Sequence, residues 1–126
     1  MKEKREIFIN SLSLYFPQAK TLYDDHLDDC EGEGILWTFL FSNIGKEIGW
    51  KYPHINNFDK LGIINLIEEA VVSDDKNLGT AVCTGLLEAM TDSLMKDRNV
   101  WEHAQKELGT KSLEYMLGMN KFYGIE

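Results

Sequence analysis

Ile35-Leu36-Trp37-Thr38-Phe39-Leu40-Phe41, continued by Ile44 and Ile48, is the stretch that decides the fold. Apolar side chains fill nearly every position of the run and then recur at helical spacing. Such a segment reads as a central helix buried on several sides. Gly32 and Gly34 precede it, and Trp50-Lys51-Tyr52-Pro53 with the turn residues 54–57 ends it, which places Trp50 in a loop region. The run is far shorter than the ~20 apolar residues that span a bilayer, so no membrane partner is expected.

Outward from this centre, the chain keeps the same period. Ile7, Ile9, Leu12 and Tyr15 or Phe16 suit a first helix that stops before Pro17, because the residue preceding a proline is pushed out of the helical region. Pro17 can open a second helix, where its missing N–H is no loss. The inward face of that helix is Leu22, Tyr23, His26 and Leu27. On the C-terminal side, Asn57 serves as N-cap for a helix with Leu61, Ile64, Ile67, Ala70 and Val71 on its apolar face. Asp74 caps the next, marked by Leu78, Val82, Leu86, Ala89 or Met90, and Leu94. Asn99 caps a short helix with Val100, Trp101, Ala104 and Leu108, and Gly109 ends it in the left-handed conformation. Thr110 or Ser112 starts a last helix with Leu113, Met116 and Leu117, and Phe122-Tyr123 docks back on the body. The expected fold is all-α: a single helical domain over residues 1–126, built as a compact irregular bundle or short stack of about seven helices.

Charge is distributed unevenly. The chain of 126 residues has a net charge of −8, and most of that imbalance sits in Asp24-Asp25-His26-Leu27-Asp28-Asp29-Cys30-Glu31-Gly32-Glu33. With Leu22, Tyr23, His26 and Leu27 turned inward, Asp24, Asp25, Asp28 and Asp29 fall on the outer side at i and i+4 spacing, where like charges repel by a few tenths of a kcal/mol per pair. A structural helix avoids that cost by interspersing lysines. Direct nucleic-acid binding is not expected, because it depends on clustered Lys and Arg that this sequence lacks. A dense carboxylate face suits a basic partner instead, each carboxylate able to take an Arg or Lys in a charge-assisted hydrogen bond.

Catalytic and metal signatures do not accompany the acids. His26, His54 and His103 each lack a Glu three residues earlier, which rules out paired Glu-x-x-His di-iron ligands. The acid run lacks the spacing of a calcium loop. A mononuclear metal site from His26, Asp25 and Asp29 would be short of ligands, and zinc usually takes three or four N or S donors. Gly-x-Ser-x-Gly, a Gly-rich phosphate loop and Cys-x-x-Cys are all missing. Glu68 and Glu69 with Asp74 and Asp75 read as helix-end acids, not as an acid–base pair. Neither Cys30 nor Cys83 is placed like an activated nucleophile. No enzyme activity, catalytic residue, metal or cofactor is expected. The basic start Met1-Lys2-Glu3-Lys4-Arg5-Glu6 leads into a stretch broken by Asn10, Ser11 and Ser13 with no cleavage site, so the expected location is the cytoplasm, with both thiols reduced.

Tyr15-Phe16-Pro17-Gln18-Ala19-Lys20 followed by Leu22-Tyr23-Asp24-Asp25-His26-Leu27-Asp28-Asp29 resembles the Phe-Pro-Glu, Tyr and Glu-His opening of a group of small, acidic, helical bacterial proteins. Gly85-Leu86-Leu87-Glu88-Ala89-Met90 and Leu108-Gly109-Thr110-Lys111-Ser112 are similar to its Phe-Leu-Glu and Leu-Gly-Pro-Lys segments. The chain departs from the group at Gly34-Ile35-Leu36-Trp37-Thr38-Phe39, where a Leu-Pro-His segment is missing. Proteins similar to these are encoded beside polymorphic toxins as immunity proteins, including those of contact-dependent growth inhibition. The resemblance implies inhibition of a cognate toxin domain by tight binding, and the acidic face makes a basic nuclease the expected partner. The partner-binding residues expected are Asp24, Asp25, Asp28, Asp29, Glu31, Glu33 and the aromatic Trp50. The alternatives are a regulatory or scaffold module that binds a partner in a helical groove, and a metal-dependent hydrolase using His26. Sequence leaves the oligomeric state open.

Overall fold

A computed structural model describes residues 3–30 and 33–122, with the side chains of 120–122 excepted. Seven helices and one 3-10 turn occur among the described residues, and no strand. They are α1 (Lys4–Leu12), α2 (Gln18–Cys30), α3 (Trp37–Lys51), the turn Tyr52–His54, α4 (Asn57–Val71), α5 (residues 76–94), α6 (Arg98–Glu107) and α7 (Thr110–Phe122). The protein is an all-α bundle. One buried apolar cluster threads all seven helices, from Phe8, Ile9 and Leu12 in α1 to Met116 in α7.

The central position of α3 follows from its inward side chains, Leu40, Phe41, Ile44 and Ile48, and from two glycines on the same side, Gly45 and Gly49. A Cβ on Gly45 would collide with the backbone carbonyl oxygen of Leu86, and one on Gly49 would lie 2.7 Å from the carbonyl oxygen of Met90. From the opposite helix, a Cβ on Gly85 would lie 2.8 Å from the carbonyl oxygen of Thr38. The α3–α5 contact is thus backbone against backbone, and Ser42 Oγ donates across it to the Gly85 carbonyl at 3.4 Å. It is the most extensive helix contact in the molecule.

α5 changes register to make that contact. It is α-helical at Lys76–Thr80, π-helical at Ala81–Leu87 and α-helical again at Glu88–Leu94. Its core residues Leu78, Val82, Leu86, Met90 and Leu94 are spaced four apart throughout. On a regular helix of 3.6 residues per turn, each such step drifts about 40° round the axis. The wider π turns absorb the drift and hold all five side chains on the buried side.

Helix boundaries and caps differ from the sequence expectation in instructive ways. α1 ends at Leu12, so Tyr15 and Phe16 lie in the connection that follows. Pro17 stands in that connection too, immediately before α2. The α4 cap is Asn56, not Asn57: its side-chain oxygen accepts from Asp59 N at 2.8 Å. Asp75, not Asp74, caps α5 by accepting from Leu78 N at 2.9 Å. Asp97, not Asn99, caps α6 through Asn99 N and Val100 N. Gly109 is not left-handed. A Cβ there would displace the side chain of Glu68, whose carboxylate accepts from Lys111 N, Ser112 N and Ser112 Oγ at the start of α7. The face of α4 is rotated as well, with Ile63 buried and Leu61 60% exposed. The expected docking of Phe122-Tyr123 falls outside the described side chains.

Candidate functional site

The acid run occupies the outer surface of α2. Ala19, Tyr23 and His26 are buried, Leu22 and Cys30 are half-buried, and Leu27, expected inward, is 38% exposed. Asp24, Asp25, Asp28 and Asp29 are all exposed. Asp24 takes an ion pair from Lys20 at 2.6 Å, one turn earlier and equally solvated, where such pairs contribute little. Asp25, Asp28 and Asp29 form no ion pair among the described residues. Two of these acids occupy the last turn of α2, where the helix dipole presents negative charge and no basic residue offsets it. The arrangement costs stability and returns none within the fold. Glu33 lies exposed just beyond, and Glu31 lies outside the described residues.

Beside these acids α2 turns back as α3, and the connection is pinned from below. His26 Nε2 accepts the backbone N–H of Leu36 at 3.1 Å, with Cys30 Sγ 3.4 Å from the same nitrogen. An accepting Nε2 places the ring proton on Nδ1. Committed to Leu36, that nitrogen has no lone pair for a metal, and among the described residues no three His, Cys, Asp or Glu side chains converge on a common point. A shallow cleft opens here, lined by His26, Asp29, Cys30, Glu33, Leu36 and Phe39. Phe39 is 59% exposed and Leu36 is 62% exposed, although the all-apolar run containing them reads as core. The N-terminal turn of α3 therefore supplies an uncovered apolar patch against a rim of carboxylates.

No family model, curated protein or solved structure matches this chain.

Trp50 lies in the last turn of α3, not in a loop, and is 64% exposed. Eleven residues separate it from Phe39, which is about 16 Å along the helix and about 20° round it. Both therefore stand on one outer stripe of α3. A second cleft opens at the Trp50 end, lined among others by Lys51, His54, Lys96 and Val100. Lys51 Nζ donates to Gln18 Oε1 across the exposed edge of the antiparallel α2–α3 pair. Neither Lys51 nor Lys96 has an ion-pair partner among the described residues. Asp97 also borders the cleft but is occupied in capping α6. The expected site residues thus divide between two ends of one face: the aspartates and Glu33 at one end, Trp50 among cations at the other.

Other acids are spent on structure. Glu68 is tied to the α7 N-terminus; burial alone would push its carboxyl up, but the Ser112 and Lys111 N–H groups, the Ser112 hydroxyl and the Lys111 charge outweigh this and hold it below the ordinary value. Glu107 accepts from Tyr52 OH at 2.8 Å and pairs with Lys60 at 3.7 Å. Burial and the Glu107 carboxylate push the Tyr52 phenol well above its usual range. Burial and Glu88 raise the Cys83 thiol, which leaves it protonated and inert. A separate apolar surface that sequence did not disclose comprises Phe58 and Leu61 on α4, with Tyr15 packed against Phe58.

Proposed function

We propose that this protein is an immunity-type inhibitor that binds a basic toxin domain through the outer face of the α2–α3 pair and acts in the cytoplasm without catalysis. The observation that carries this reading is the unneutralised carboxylate face of Asp25, Asp28, Asp29 and Glu33 beside the exposed Phe39 and Leu36. Carboxylates without internal partners steer a cationic surface and speed encounter, whereas apolar anchors that become buried slow dissociation. The partner surface that fits best is the cationic groove by which a nuclease holds phosphates. Among the described residues no helix is long and apolar enough to cross a membrane.

The test is co-expression with any basic toxin domain found to be encoded beside this chain, followed by a growth-protection assay and binding kinetics. Protection and co-purification are expected. Asp25→Lys with Asp29→Lys should lower the association rate and flatten its salt dependence, and Phe39→Ala should speed dissociation. An association rate at low salt that is indifferent to the double reversal would remove the steering role. The scaffold alternative draws on a different observation, the exposed Phe58 and Leu61. It predicts partner binding that is insensitive to salt and to the α2 reversals but abolished by Phe58→Ser.

A further inference from the structure

Two oppositely charged clefts stand at the two ends of a single helical stripe, and a surface of that kind is complementary to itself. On α3 the outward residues Phe39, Asn43, Lys46 and Trp50 follow at i, i+4, i+7 and i+11, and α2 runs antiparallel alongside. At the Phe39 end lie Asp25, Asp29 and Glu33, and at the Trp50 end lie Lys51 and Lys96, none of the five ion-paired among the described residues. A two-fold axis through the middle of the stripe sets each end of one chain against the opposite end of the other. Under that operation Phe39 meets the partner's Trp50 and Asn43 meets the partner's Lys46. The contact between acidic cleft and cations therefore forms twice, once per chain, while the two Lys46 side chains flank the axis. Isologous contacts of this type close at two copies.

We infer that the α2–α3 face is a self-complementary surface on which a second copy of this chain docks, Phe39 and the α2 acids of each copy seated against Trp50, Lys51 and Lys96 of the other. The observations that carry it are charge complementarity and the exposure of an aromatic at each end, 59% for Phe39 and 64% for Trp50. Since the whole chain is negative, the dimer forms against a long-range repulsion, which about 0.1 M salt screens beyond about 10 Å while leaving the contact pairs largely intact; only salt near about 1 M, where screening reaches about 3 Å, weakens the pairs themselves. The inference does not rest on the toxin-inhibitor reading, although both use Asp29 and Phe39, so toxin and second copy would compete.

Sedimentation velocity on the purified full chain tests it without any toxin. The expected result is a two-chain species at about 0.1 M salt that gives way to single chains as salt approaches about 1 M. Lys51→Glu with Lys96→Glu, and separately Asp25→Lys with Asp29→Lys, should each weaken the dimer at least about tenfold. Mixing the two reversed proteins should restore a two-chain species, because each then offers what the other lacks. Circular dichroism confirms that both variants fold, and Lys51→Gln with Lys96→Gln gives a milder version of the same loss. A single-chain species at about 0.1 M salt and high concentration overturns the proposal. So does self-association that survives both reversals or disappears only in Phe58→Ser, reversed proteins that fail to recombine, or open-ended growth beyond two copies. Failure of toxin protection leaves this result untouched, and the converse also holds.

Discussion

The two sides of α3 obey opposite rules. Its inner side meets α5 through Gly45, Gly49 and Gly85, where backbones approach so closely that no side chain fits between them. Its outer side, with α2, carries charged and aromatic groups that touch little within the chain. The difference teaches where substitutions will register: on the inner side in stability, on the outer side in association. Glycine marks the boundary between the two regimes, since the same residue is indispensable at the seam and wasteful on an open helix face.

The largest expected effect is at Gly45. Gly45→Ala places a methyl against the Leu86 backbone, which cannot swing aside as a side chain tip could, and should cost about 3 kcal/mol or more. A urea titration would show the loss as a lower midpoint, and a wild-type midpoint would show that the seam is looser than described. Next is Glu68→Gln, which exchanges a carboxylate for an amide at the start of α7 and should cost about 1–2 kcal/mol at neutral pH. Because the native Glu68 carboxyl is held below its ordinary value of 4.5, its stabilisation is complete above that value and is lost as pH falls through the lower native one. The gap between wild type and variant should therefore close below pH 4.5, and thermal melts across that range check the sign.

Gly118→Ala inverts the seam. Position 118 lies within α7 with nothing near enough to meet an added Cβ, so the substitution should stabilise by about 0.5–1 kcal/mol. Smallest of all is the effect of Asp25→Lys with Asp29→Lys on the isolated chain, within about 0.5 kcal/mol. A loss well beyond that would mean that the acids support the fold and are not reserved for a partner.

Much of this architecture was legible. The α5 residues Leu78, Val82, Leu86, Met90 and Leu94 sit where their periodicity places them, and the four aspartates of α2 are on the open side. Caps slipped where neighbours are chemically alike: Asn56 and Asn57, or Asp74 and Asp75, offer the same oxygen, and only the approach of the chain selects between them. Phe39 and Leu36 were misplaced because an all-apolar run declares hydrophobicity but not how many neighbours exist to cover it. The glycine seam stayed hidden, since a close approach depends on the facing helix. So did the Lys51–Lys96 cleft, whose members come from different helices. One signal was there to read: strict spacing by four over five core positions cannot be kept on one side of a regular helix, and it announces the widened turns at Ala81–Leu87.

Those turns carry a consequence for how the surface could diversify. With Gly45 and Gly85 fixing the crossing, α3 is held by its backbone rather than by the identity of its outward side chains. Phe39, Asn43, Lys46 and Trp50 can then be rewritten one by one without moving the helix that displays them. The bundle behaves as a type case with interchangeable letters, set firmly from behind and free to print a different recognition text on its front.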